Sequence, residues 1–180
     1  VWGSEEQKRE FNATNENLAE LSIQVTKNNA ISISKLTKTP LVEAGETMQF
    51  TLNVGNNGAN AMEMIALDGL PYNGDGRGSS FSGKCQITEL NIKNPDLLES
   101  IKLYYSNSEA DRGNISLNYA KTDFESGNWT ELTVDNTTGE ASLPKDFTPV
   151  AIAAVGKLPV QATLKIDLTM LLPDGKAGDR

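Results

Sequence analysis

The chain of 180 residues contains no histidine and only one cysteine, Cys85. Without histidine it lacks the side chain that titrates nearest neutral pH and the commonest ligand of transition metals. A lone cysteine excludes an internal disulfide and a zinc site built from several thiolates. Serine–histidine and cysteine–histidine nucleophile pairs are excluded as well. The sequence therefore predicts a protein that is not an enzyme.

Positive charge and long apolar runs are also scarce. The chain has 16 Lys and Arg residues against 24 Asp and Glu, a net charge of −8, which repels a phosphate backbone and argues against nucleic-acid binding. No apolar run approaches the roughly 20 residues that span a bilayer. The chain opens with neither an initiator Met nor a signal peptide. We therefore expect it to be part of a longer protein.

Segments of alternating apolar and polar residues, separated by turn residues, fill most of the chain. Phe50, Leu52 and Val54 form one such segment, the longest runs from residue 160 to 170, and shorter ones lie at 115–119 and 132–134. We predict that Phe50, Leu52, Val54, Leu164, Ile166 and Leu168 are buried. A helical turn is predicted at residues 95–100. Residues 150–155 are apolar throughout, which is typical of a central strand. The pattern predicts an all-β, Ig-like or Greek-key sandwich of two packed, mainly antiparallel sheets over residues 21–180. Residues 1–20 are predicted to be a short helix or a mobile tail.

The most specific pattern lies between residues 45 and 83. A glycine–acid–threonine turn leads into the Phe50 strand, an asparagine–glycine pair supplies a hairpin turn, and Asp68-Gly69-Leu70-Pro71 precedes a glycine-rich loop. This order resembles the conserved-repeat domains of bacterial surface proteins, the DUF-eleven family. Less specific similarities are Tyr104-Tyr105-Ser106 with Trp129, and Lys157-Leu158-Pro159 before the longest alternating segment.

The resemblance implies a non-enzymatic structural or adhesive module of a bacterial cell-surface protein, acting as a spacer or stalk segment. It also implies an extracellular location on a Gram-positive cell wall, attached through the parent protein. The implied partners are neighbouring repeats of the same chain, together with host proteins or glycans. A function of a different class is also open: a carbohydrate- or host-protein-binding module that uses the loop at residues 72–83.

That loop is the one segment that resembles a ligand cradle. Asn73 and Asp75 offer oxygen ligands of the kind that Ca²⁺ prefers, but Ca²⁺ takes six to eight, and no bidentate Glu follows at the right distance. We therefore predict no metal and no cofactor, and a connecting loop whose glycines serve backbone geometry. Trp129 is a candidate for stacking on a sugar ring, although its position after the turn at 126–128 favours a place in the core.

Lys35 and Asp68 are the candidates for covalent chemistry. Surface modules such as those of the collagen adhesins can close a lysine–asparagine isopeptide bond, which needs an uncharged amine, a carboxamide and a buried acid. Lys35 shares the parity of Ile33, and Asp68 shares that of Met64, so both side chains can point inward. No asparagine occurs from residue 137 to 180, and we predict no isopeptide bond within residues 1–180. We favour the simpler interpretation, in which Lys35 is a surface lysine and Asp68 a strand-end turn residue.

Overall fold

The structure, a computed structural model, describes residues 21–23, 31–37, 42–43, 45–73, 79, 83–111, 119–126 and 129–173. The predicted N-terminal segment, residues 1–20, lies outside these ranges. The strands are β1 (Leu21–Ile23), β2 (Ile31–Thr37), β3 (Thr47–Asn56), β4 (Met62–Gly69), β5 (Gln86–Ile92), β6 (Ile101–Ser106), β7 (Thr130–Leu132), β8 (Ala151–Leu158) and β9 (Thr163–Leu171). One α-helix, α1 (Lys121–Glu125), and 3₁₀ helices at Pro95–Glu99 and Glu109–Asp111 complete the described elements.

The strands form two sheets that pack face to face. Sheet A has five strands in the order β1-β4-β8-β6-β7, and sheet B has four in the order β2-β3-β9-β5. Every pairing is antiparallel, and the longest joins β3 to β9 over nine residue pairs, from Thr47↔Leu171 to Gly55↔Thr163. The predicted all-β sandwich of mainly antiparallel sheets is confirmed.

Alternate residues of each strand build the core between the sheets. In β9, Leu164, Ile166 and Leu168 are buried while the residues between them face outward. Leu52 and Val54 of β3 are buried as predicted. The prediction for Phe50 is wrong in degree, because this side chain is only half-buried. It lies close to the sheet edge formed by β2, where fewer neighbours surround it.

Some predicted strand limits differ from the observed ones. The last strand begins at Thr163 rather than at residue 160, because Gln161 takes a left-handed backbone conformation (φ 58°) in a turn. Val160, in that turn, is 45% exposed. The helical turn expected at 95–100 is the 3₁₀ helix at Pro95–Glu99. Of the strand predicted at 115–119, only Tyr119 lies within the described ranges.

The outer face of sheet A carries a second apolar cluster. Tyr119, Phe124 and Trp129 pack over it, with Phe124 4.9 Å from the Trp129 ring centroid. Ala153 and Val155 of β8 belong to the same cluster. Because both faces of β8 are covered over residues 151–155, this part of the strand is apolar throughout, in agreement with the prediction of a central strand at residues 150–155, whereas Lys157 near its end is exposed.

The first described strand begins, and the last described strand ends, at the same end of the sandwich, which we call the entry end. Leu21 of β1 pairs with Asp68, the penultimate residue of β4. At this end the backbone carbonyl of Phe147, shortly before β8, accepts a hydrogen bond from Ile87 N at the start of β5. β9 finishes at Leu171 beside that start.

The β3–β4 and β8–β9 connections lie at the opposite end, which we call the turn end. Because β3 and β4 belong to different sheets, their connection is not a hairpin, and neither Asn57 nor Gly58 has a positive φ. The hairpin turn predicted from the asparagine–glycine pair is therefore wrong.

Candidate functional site

A buried ion pair joins the two sheets near the entry end. The Lys35 Nζ atom, from β2 of sheet B, lies 2.8 Å from both carboxylate oxygens of Asp68, from β4 of sheet A. The side chains are only 6% and 2% exposed. In the part of the chain that the structure describes, Asp68 is the only acidic residue classed as buried.

Strand register places both groups in the interior. Lys35 pairs with Leu52 of β3, whose side chain is buried in the core, and Asp68 pairs with Ile152 of β8, which is also buried there. Since directly paired residues share a face of the sheet, both charged side chains point inward. The inward orientation that parity allowed is the observed one. The interpretation that we favoured from the sequence is wrong for Lys35, which is buried, and wrong for Asp68 in that it belongs to β4, near its end, and not to a turn.

Phe50 makes a further contact with the Lys35 side chain of the ion pair. The Lys35 Nζ atom lies 4.9 Å from the centroid of the Phe50 ring, a distance suited to a cation–π interaction. Phe50 pairs with Thr37, two residues along β2 from Lys35, so the β2–β3 register brings the ring beside the lysine. The half-buried ring therefore has a polar partner as well as apolar ones.

The surroundings of the pair are apolar, which determines its energetics. Leu52, Ala66 and Ile152 line the interior beside Asp68. Removing one partner from such a pair leaves an uncompensated buried charge and typically costs about 3–5 kcal/mol, whereas replacing both by apolar groups is often neutral or stabilising. The pair also opposes a slip of β2, because a shift by one residue would turn Lys35 to the solvent face.

The site holds two of the three groups that an isopeptide bond requires. The amine and the buried acid are in contact, and the missing group is a carboxamide. Asn53 is on the solvent face of β3, where its side chain donates to Ser34 Oγ at 3.0 Å. In the described ranges, the hydrogen bonds of Lys35 go to Asp68 alone. The prediction that no isopeptide bond forms within residues 1–180 stays a prediction.

The other predicted site residues lie apart from this pair. Asn73 is exposed at the end of a described range, and Asp75 lies outside the described residues. No group of three or more metal-ligating side chains is present among the residues the structure describes. Trp129 is 5% exposed and packs edge-on against Tyr119 with ring centroids 5.8 Å apart. It occupies an aromatic cluster rather than a sugar-binding surface.

Asn56, at the turn end, is a buried polar residue that the sequence interpretation treated only as part of a turn. Its side-chain nitrogen donates to the carbonyls of Asn60, Leu158 and Pro159 at 2.9–3.1 Å, and its Oδ1 accepts from Gly58 N at 2.9 Å. It thereby joins the β3–β4 connection to the β8–β9 connection. The local sequence carries no signal for this role, because two of its acceptors lie 102 and 103 residues away.

A second polar cluster joins Ser106, Asp111 and Tyr119. The Ser106 and Tyr119 hydroxyls each donate to one oxygen of the Asp111 carboxylate at 2.6 Å. Burial raises the pKa of Tyr119, and the hydrogen bond to Asp111 raises it further. With both oxygens engaged, Asp111 links β6 to the segment that covers sheet A.

Comparison with known proteins found no relatives of this chain. No family model, no curated protein and no solved structure matches the chain. Among the described residues, no helix is long and apolar enough to cross a membrane.

Proposed function

We propose that this chain is a non-enzymatic structural module of a bacterial cell-surface protein, serving as a spacer or adhesive segment. The observation that carries the proposal is the buried Lys35–Asp68 pair, which connects the two sheets near the entry end. The surface location and the neighbouring repeats as partners rest on the resemblance of residues 45–83 to bacterial surface repeats.

The position of the pair suits a module that bears force. The chain enters through β1, at an edge of sheet A, and leaves through β9, in the interior of sheet B. Tension between these strands pulls the two sheets apart at the entry end. The Lys35–Asp68 contact bridges the sheets close to that end, so it resists separation there. Deeper in sheet B, the nine-pair ladder of β3 and β9 must also open pair by pair before β9 is released.

The space between the sheets supports a structural role for the core; a larger hollow of about 220 Å³, beside Tyr105 and Lys145, lies elsewhere on the molecule. Between the sheets the packing leaves a void of about 20 Å³, lined almost entirely by apolar side chains. Ligand pockets are typically several hundred Å³ and combine apolar walls with convergent polar groups. The one charged group at this void, Asp68, is already engaged by Lys35.

Force spectroscopy on single molecules of the chain, tethered by its two termini, tests the proposal. In the double variant Lys35→Met/Asp68→Leu the equilibrium free energy of unfolding should be unchanged or higher, by up to about 4 kcal/mol. The unfolding force should nevertheless fall, because the directional link between the sheets is lost. The matched control is Lys102→Gln/Glu131→Gln, which removes an exposed 2.8 Å pair within sheet A and should leave the force unchanged. An undiminished force in the core variant would contradict the proposal.

A further inference from the structure

We propose that the hollow of about 220 Å³ at the entry end, which we call the entry hollow, is a binding site for a single neutral sugar ring, such as the terminal unit of a glycan. This inference goes beyond the force-bearing role and does not depend on it. Three observations carry it: a shape that the backbone holds in place, polar side chains without partners among the described residues, and a balance of charge around the opening.

The entry hollow lies where strands of the two sheets begin and end. Tyr105, near the end of β6, and Phe147, shortly before β8, both line it, and their rings pack edge to face with centroids 4.9 Å apart. Backbone hydrogen bonds hold this region together. The Phe147 carbonyl accepts from Ile87 N of sheet B, and the Ser106 carbonyl accepts from Val150 N, each at 2.8 Å. The hollow is therefore part of the fold, and a ligand would find it largely preformed.

The size of the entry hollow and its apolar part suit one ring. Pockets for drug-sized ligands typically have about 300–1,000 Å³, so a hollow of about 220 Å³ admits a smaller molecule. Pro144 and the rings of Tyr105 and Phe147 supply apolar surface that the C–H groups of a sugar ring can cover. Tyr105 is only half-buried, so part of its side chain stays open to a ligand. An aromatic residue of this kind offers an apolar body with a polar tip.

Polar side chains surround this apolar surface. Tyr105, Asn107 and Thr148 line the hollow, and their side chains make no hydrogen bond with any other residue that the structure describes. Hydroxyls and carboxamides both donate and accept hydrogen bonds, as the hydroxyls of a sugar do, whereas a carboxylate or a phosphate dianion only accepts them. The set therefore matches a polyhydroxylated ring better than an anion.

The charges around the entry hollow balance. Lys84, which lines it, forms an ion pair with Glu109 at 3.4 Å. Lys145 and Asp146 follow one another in the lining, and neither makes an ion pair with another described residue. Two positive and two negative charges leave no net charge near the opening, which favours a neutral ligand over an ionic one. Lys145 and Asp146 remain available as a donor and an acceptor for sugar hydroxyls.

An NMR titration of the ¹⁵N-labelled chain tests the site. The probes are the methyl glycosides of glucose, mannose, galactose and N-acetylglucosamine. At least one should shift the amides of residues 105–107 and 145–148, with a dissociation constant of about 1 mM, as expected for so small a ligand. Glucitol, an open chain with similar hydroxyls, should bind about tenfold more weakly, because it lacks the preorganised ring. Methyl glucuronide, which adds a carboxylate to the ring, should bind no more tightly than methyl glucoside.

Variants that keep the backbone conformation separate the hollow from the rest of the surface. Tyr105→Phe removes one hydroxyl and keeps the ring, so it should weaken binding about fivefold. Its control, Tyr104→Phe, removes a hydroxyl from the opposite face of the same strand and should leave the affinity unchanged. Asp146→Gly removes the carboxylate at a left-handed residue (φ 52°), a conformation that glycine adopts readily, and should weaken binding about tenfold. Its control, Gln161→Gly, makes the same kind of change at a left-handed residue of the turn end (φ 58°).

Four results would overturn the proposal. The first is the absence of shifts with all four glycosides at tens of millimolar, and the second is shifts centred outside the entry hollow. The third is tighter binding of the glucuronide than of the glucoside, which would indicate an anion site. The fourth is an unchanged affinity in both Tyr105→Phe and Asp146→Gly.

Discussion

Lys35 and Asp68 illustrate how far a single sequence determines a buried site. Alternation along β2 and β4 allowed each side chain to point inward, since parity within a strand is a local property, but it did not favour that orientation over a surface lysine and a strand-end aspartate. Their contact depends on how the two sheets pack, and the two residues are 33 positions apart in the sequence, so nothing local specifies it. For the same reason the place of Phe50 over the ammonium could not be predicted. It requires the β2–β3 register, which pairs Phe50 with Thr37 and is not specified by the alternation within either strand.

The mass of the intact chain tests the chemistry available to Lys35. Closure of each lysine–asparagine isopeptide bond expels one ammonia, so a bonded chain is lighter by about 17 Da than its sequence requires. We expect the purified chain of residues 1–180 to have the full sequence mass, because no carboxamide contacts Lys35 within the described ranges. A deficit of one ammonia that disappears in Lys35→Ala would contradict this.

Asp167 should make the fold sensitive to acid. Burial raises its pKa, but the hydrogen bond from Thr51 (2.8 Å) and the charge of Lys93 (3.4 Å) outweigh burial, and the net shift is downward. A folded-state pKa below the unfolded value of about 3.9 stabilises the fold above that pH, and the contribution is lost as pH falls through the folded pKa. Urea unfolding below about pH 4 should therefore show a shallower loss of stability in Asp167→Asn than in the parent. The matched control, Asp96→Asn at an exposed site, should keep the steeper slope of the parent.

The presence of the strands was predicted more accurately than the residues at which they begin and end. The alternation of β9 and the apolar residues 151–155 of β8 are strong signals, because burial of one face requires alternate apolar residues and burial of both faces requires a continuous apolar run. The limits depend on backbone conformation at single residues. Val160 continues the alternation in the sequence, but the left-handed backbone conformation of Gln161 separates it from β9 in the structure. Val134, predicted as part of a strand, makes only an isolated bridge with Ala141.

At the level of elements, β9 should be the most sensitive to truncation in its interior. It pairs with both β3 and β5, and Ile166 at its centre is 4% exposed within the core. Ile166→Ala removes buried methyl groups and leaves a cavity, which should cost about 2–5 kcal/mol in the free energy of unfolding measured by denaturant titration. Truncation of Val160, 45% exposed outside the strand, is the control and should change stability by less than about 0.5 kcal/mol. Equal losses of unfolding free energy in the two variants would show that Ile166 stabilises the core no more than an exposed residue does.

For the whole molecule, the expectation is that folding needs no metal. The loop with Asn73 and Asp75 offers two side-chain oxygens, fewer than Ca²⁺ requires. Calorimetry with excess Ca²⁺ and with a chelator should give the same melting temperature. A rise with Ca²⁺ that Asp75→Asn abolishes would show that the loop binds the ion after all.

The arrangement of entry and exit also has a use in protein engineering. A domain whose first and last strands open at one end can be spliced into a surface loop of a host protein without stretching the host across the length of the guest. Residues 21–173 would then protrude from the host, with the Asn56 network at the end farthest from the two junctions. Peptides grafted between Asn56 and Met62 would be displayed as far as the fold allows from the junction with the host.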